Sequence, residues 1–214
     1  MKPVILFDLD GTLIDSTEAI LESFCVAFEK FGAKAPQGEE IKKHIGHTLE
    51  DIFRRLGVEE AKVDEYVLAY KMHYQTIHCK KTVLIDGAYD AVKEASSFAT
   101  LGVVTTKTGK YSKELLEYFA LMHYFDMLVG REHVKYPKPH AEPILKALER
   151  LEHDKEQTWM IGDTKMDILS AKSAGIRSIA VTSGYGSLET LKECTNTICH
   201  NVLSAISLIK ELKS

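Results

Sequence analysis

This chain of 214 residues is expected to form a doubly wound α/β fold around a mostly parallel sheet, with one α-helical domain inserted. Three observations lead there. Short apolar, β-branched runs recur at residues 4–7, 98–105, 127–129, 159–161, 178–181 and 197–199, and they suit strands covered on both faces. Helical periodicity fills most intervals between them, as parallel strands require, because each crossover must carry the chain back over the sheet. Residues 15–81, by contrast, contain helix after helix and no strand, far more chain than an ordinary βα connection uses.

Taken in order, the first strand ends where its apolar run meets Asp8. Ser16 and Thr17 then open a helix that Gly32 stops. Thr48, with Asp51 three residues on, opens another that ends near Gly57. A long polar–apolar stretch from Glu59 to about Cys79 makes the next, and the chain returns to the core near residues 83–87. The expected domains are therefore a core of 1–14 and 83–214, and a helical insert of 15–82. Beyond the return, residues 112–122 place Leu115, Leu116, Phe119 and Met122 on one stripe. Residues 141–151 bring Ile144, Leu145, Leu148 and Leu151 to one face, and the helix after the fourth strand stops at Gly175.

Composition narrows the function classes. The chain is 45% hydrophobic and 27% charged, with a net charge of −4, so nothing electrostatic favours nucleic acid or an anionic membrane as a partner. No apolar stretch approaches the ~18 residues of a membrane span, and the N-terminal run is too short for a signal peptide. Cys25, Cys79, Cys194 and Cys199 lack any CxxC spacing and are read as free thiols of a cytoplasmic protein. His73, His78 and Cys79 hint weakly at zinc, but such ligands on one long helix seldom close a tetrahedron.

Chemistry concentrates at strand ends. Asp8 and Asp10 lie at i and i+2, so in extended chain both side chains point the same way, at the end of a strand where open sheets bind ligands. Gly11 permits a close turn whose amides can face an anion. Two carboxylates this close repel, so the site needs a proton or a cation, and Mg2+ suits hard oxygen ligands together with phosphate. Thr105 ends another strand; Lys138 is stiffened between Pro137 and Pro139; Asp163 ends a third strand, and Asp167 follows by one helical turn.

These segments together resemble the haloacid dehalogenase-like superfamily. "FDLDGTL" is similar to its first motif, "GVVTTK" to its second, "YPKPHAEP" to its third and "MIGDTKMD" to its fourth, in the family's order. The helical insert matches the family's first type of cap, expected to close over a small substrate. The resemblance implies that Asp8 attacks phosphorus and that Asp10 protonates the leaving oxygen and then activates water. It implies that Thr105, Thr106, Lys138 and the amides near Leu9 and Gly11 hold phosphate oxygens. A magnesium site of Asp8, Asp10 (through its backbone carbonyl), Asp163 and Asp167 is implied as well. The second acid, Asp10, favours phosphoryl transfer over dehalogenation, and cap lysines such as Lys42 and Lys43 read as solvated rather than as Schiff-base formers.

The tail "VTSGYGSLETL" and the cap loop "IGHT" resemble the phosphoglycolate phosphatase branch, which includes pyrophosphate-hydrolysing members. His47 is the cap candidate for a substrate carboxylate or second phosphate. Thr106, where the branch often has Asn, and Tyr136, where it often has Gly, depart from that pattern. The expected protein is a magnesium-dependent phosphatase of small phosphorylated metabolites, as monomer or homodimer. Pyrophosphatase, sugar phosphatase and phosphomutase stand as alternatives, and a non-catalytic binding protein is the remaining one.

Overall fold

The computed structural model describes residues 2–212. The chain divides into two compact units, Met1–Asp15 with Leu84–Ser214, and Ser16–Val83.

In the larger unit the main sheet comprises β1 (Val4–Phe7), β2 (Thr100–Val104), β3 (Met127–Val129), β4 (Thr158–Gly162), β5 (Arg177–Val181) and β6 (Ile198–Cys199). Their order is β3-β2-β1-β4-β5-β6, and every neighbouring pair is parallel. This is the doubly wound order, whose direction of winding reverses between β1 and β4 and opens a crevice at their C-terminal ends. The register puts Phe7 level with Val103 on one side and Ile161 on the other. Asp8 follows directly, its N–H donating to Ile161 O at 2.9 Å.

The central strands β1 and β4 are buried on both faces. Val4, Leu6, Val104, Val129 and Met160 pack with Ile144, Ala147 and Leu148 of helix Glu142–Leu148 and Ala171 and Ala174 of helix Lys165–Ala174. Phe7, on the alternate face, meets the Phe125 ring edge-on at 6.0 Å. Helices Ala88–Ser96 and Val202–Leu212 are two that the patterns above do not single out. Val202, Ala205, Ile206 and Ile209 are buried on the second.

Three boundaries differ from expectation. The strand expected over 98–105 begins only at Thr100, because the Phe98 and Ala99 amides both donate to Ala95 O and finish the preceding helix. The helix expected over 112–122 ends at Tyr118, where Ala120 takes φ 53 and reverses the chain, leaving Met122 in a separate 3₁₀ turn. The stripe expected to reach Leu151 leaves the helix at Leu148, although Leu151 still packs on the same core cluster.

The smaller unit contains helices Thr17–Lys30, Gly38–Lys42, Leu49–Arg55 and Val63–Ile77. Its interior is aromatic: Phe24 lies 4.8 Å from Phe53 and 4.9 Å from Tyr70, and Phe28 sits edge-on to Tyr66 at 5.2 Å. The Thr48 hydroxyl caps its helix by accepting from Asp51 N at 3.3 Å. Gly32 and Gly57 take the left-handed φ that ends two of these helices. His73 pairs with Glu22 at 2.9 Å. Among the described residues no helix is long and apolar enough to cross a membrane.

Candidate active site

At the crevice between β1 and β4, four charged groups leave solvent together. Asp8 is 3% exposed, Lys138 4%, and Asp163 and Asp167 are wholly buried. Lys138 Nζ lies 2.9 Å from Asp8 Oδ1 and 2.5 Å from Asp167 Oδ1, and it donates to Val104 O at 3.0 Å. One ammonium thus joins the ends of β1 and β2 to the helix after β4. The other Asp167 oxygen, Oδ2, accepts from Thr164 N at 3.0 Å and from its hydroxyl at 2.7 Å, closing a capping box at that helix's start. Asp167 therefore anchors Lys138 while capping its own helix.

Asp163 is held from two sides. Its Oδ1 accepts from Thr12 Oγ1 at 3.1 Å and its Oδ2 from Tyr185 N at 2.8 Å. Bringing the Tyr185 loop this close demands glycine. A Cβ on Gly184 would stand 2.1 Å from Asp163 Oδ2, and one on Gly11, at φ +84, would stand 2.3 Å from the same atom.

The charge balance identifies what this cluster can hold. Ligand oxygens of Asp8, Asp163 and Asp167 all lie within 4.8 Å of one another, so three buried carboxylates face one buried ammonium. Burial pushes the Asp8 carboxyl up to about 7, against the pull of Lys138 and with the repulsion of Asp167. Burial, then Asp167 and Asp8, raises Asp163 well above the ordinary carboxylate range. Burial alone would lower Lys138, but attraction from Asp167 and Asp8 wins and raises it. The donor set fits a hard divalent cation, which would let both acids keep their charge.

A stability experiment checks this. A group whose pKa is raised by folding supports the fold at low pH and loses that support as pH climbs to its folded value. Asp8 and Asp163 share this sign, whereas the Lys138 effect begins only above the ordinary lysine range. Stripped of divalent ions, the protein should lose about 3 kcal/mol between pH 5 and pH 8 from Asp8 alone, with Asp163 adding to the loss. That corresponds to a fall of roughly 5–10 °C in unfolding midpoint. Adding a divalent cation should restore most of it at pH 8 and little at pH 5; equal stabilisation at both pH values would contradict the charge argument.

The remaining expected residues divide. Thr105 sits just past β2; its N–H donates to Val129 O at 3.0 Å and its hydroxyl accepts from Lys107 N at 3.2 Å, so its own proton is directed elsewhere. Thr106 is the half-buried next residue. Asp10 stands at the crevice, 3.1 Å through Oδ2 from Lys107 Nζ. Of the amides expected to hold phosphate, that of Leu9 lies beside the Asp8 carboxyl and pulls its pKa down against burial. That of Gly11 donates to Ile14 O at 2.8 Å, closing the turn. His47 belongs to the helical unit, half-buried before the Thr48 cap with its ring 6.5 Å from His44.

Sequence reading missed Thr12 and Lys107, and it singled out the 183–186 loop without placing it against Asp163. Thr12 is part of "FDLDGTL", and the Gly184 and Gly186 spacing marks a backbone that must approach something closely. Lys107 ends the segment "GVVTTK", but nothing local marks it as the partner of Asp10.

The chain is also similar to known proteins. The sequence pattern of the family described as haloacid dehalogenase-like hydrolase matches residues 5–181. The pyrophosphatase PpaX of Halalkalibacterium halodurans is 37% identical over 182 residues, 85% of this chain and 83% of the relative. The probable phosphatase IndB of Dickeya dadantii is 34% identical over 96% of this chain and 92% of its own. Among solved structures, one described as a predicted phosphatase from Clostridium acetobutylicum has a TM-score of 0.89 at 30% identity, covering 99% of each chain.

Proposed function

Since this chain belongs to the haloacid dehalogenase-like hydrolase family and is a phosphatase, we propose that it releases phosphate from a small phosphorylated metabolite in the cytoplasm, with Mg2+ as cofactor and an aspartyl-phosphate on Asp8 as intermediate. The observation that carries this reading is the burial of Asp8, Lys138, Asp163 and Asp167 together at the switch point of the sheet.

In the first step an Asp8 carboxylate oxygen bonds to phosphorus as the bond from phosphorus to the leaving oxygen breaks, and Asp10 gives that oxygen a proton. In the second, Asp10 takes a proton from water while the water oxygen attacks phosphorus. The acyl phosphate then opens, regenerating Asp8 and releasing inorganic phosphate. Lys138 orients Asp8 and offsets its charge, and the Thr105 hydroxyl donates to a phosphoryl oxygen, with Thr106 beside it. Mg2+, held by Asp8, Asp163 and the Asp10 carbonyl, would neutralise charge on the transferring group.

The substrate reading is a small monoester such as phosphoglycolate. Inorganic pyrophosphate is the second reading, favoured by the likeness to the pyrophosphatase of Halalkalibacterium halodurans. The test compares kcat/KM for phosphoglycolate, pyrophosphate, sugar phosphates, nucleotides and p-nitrophenyl phosphate, with Mg2+ and with chelator. Free phosphate should appear from a small substrate and disappear with chelation. An isomerised sugar phosphate would establish the mutase instead, and turnover unchanged by chelator would remove the metal from the scheme.

A further inference from the structure

We propose that Lys107 is the positioning residue for Asp10, a clamp that fixes the proton-transfer group relative to the phosphate-binding hydroxyl of Thr105. The inference rests on the reading above, in which Asp10 hands a proton to the leaving oxygen.

One residue makes two connections here. The Lys107 side chain reaches Asp10 Oδ2 at 3.1 Å, while its backbone N–H donates to Thr105 Oγ1 at 3.2 Å. The ion pair is sheltered: the side chains are 8% and 15% exposed for Lys107 and Asp10. The ion pairs of Lys110, Lys113 and Lys210 have lysines at least 60% exposed, where little energy or orientation is gained. Sheltered from water, the Lys107 pair is far less screened.

The chemistry gives the clamp its task. Asp10 lies in the turn after β1 and Thr105 follows β2; pairing sets the two strand ends side by side, and the loops beyond them need a tie of their own. Lys107 joins them by one side-chain and one main-chain contact. Receiving the Lys107 amide, the Thr105 hydroxyl keeps its own proton for another acceptor. As Asp10 releases its proton to the leaving oxygen, the negative charge that grows on the carboxylate faces the Lys107 ammonium. A well-placed acid matters most for the most basic leaving groups, and this separates positioning from general support of the fold.

The experiment measures kcat/KM for a series of substituted phenyl phosphates, from p-nitrophenyl to p-methoxyphenyl. Wild type, Lys107→Met, Lys107→Arg, Asp10→Asn and the Lys107→Met/Asp10→Asn double variant are compared. The slope against leaving-group basicity is a ratio within one preparation, so a partly folded variant still reports it. Lys107→Met should lose about tenfold more on the methoxy than on the nitro ester, within the range of a weakened general acid. Lys107→Arg, which keeps a cation, should recover most of the wild-type slope. The double variant should be no steeper than Asp10→Asn, as two members of one unit require. A steep Asp10→Asn line with Lys107→Met parallel to wild type overturns the clamp alone. An Asp10→Asn line parallel to wild type overturns the acid role itself, and the clamp with it.

Discussion

Asp8→Asn lowers kcat by roughly 10⁴-fold or more, the scale on which loss of an attacking group is felt, and leaves the fold intact. The amide keeps the shape of the carboxyl but cannot form the acyl phosphate. Stability should move the other way. At pH 8 the buried Asp8 carboxylate is above its folded pKa of about 7, so its charge is a burden on the ion-free protein. The neutral amide lifts that burden, and Lys138 retains Asp167 at 2.5 Å. The ion-free variant should therefore unfold no earlier than wild type at pH 8. Initial rates on p-nitrophenyl phosphate and thermal unfolding of the same sample check both halves. Residual turnover above about 1% of wild type, larger than the loss scale allows, would place the nucleophile elsewhere.

Lys138→Met is the converse case, in which activity and stability fall together. The methionine fills most of the lysine's volume, but Asp8 and Asp167 lose the one ammonium that bridges them, and Val104 O loses its donor. Breaking a buried ion pair from one side costs about 3–5 kcal/mol, because the remaining charge stays buried. The unfolding midpoint should drop by about 10 °C. Loss of a cation aimed at the transferring group should lower kcat/KM by about 10³-fold. Lys138→Arg should not restore activity, since a planar guanidinium cannot reproduce three contacts converging on one nitrogen. Denaturant unfolding with steady-state kinetics decides the matter; an unchanged midpoint would show that the bridge is energetically idle.

Much of this was legible along the chain because the signals are local. Six apolar runs name six strands, since a strand covered on both faces needs nothing but apolar side chains. Asp8, Asp10 and Asp163 follow such runs directly, so their position at strand ends could be read without any knowledge of pairing. Helix stops at Gly32, Gly57 and Gly175 were equally legible, because a left-handed residue is a property of one position. Boundaries were less so. Phe98 is apolar enough for a strand, yet the helix before it takes its amide.

Local chemistry in the sequence thus accounts for the strands, the helical insertion and the acids and lysine of the cluster. Folding in three dimensions supplied the rest: the Lys107 grip on Asp10, the 183–186 loop closing over Asp163, and the capture of the Gly11 amide by Ile14. The reason is physical. Strand propensity and helix stops act between neighbours in the chain, whereas an ion pair or a close backbone approach depends on which distant segments the sheet order sets side by side.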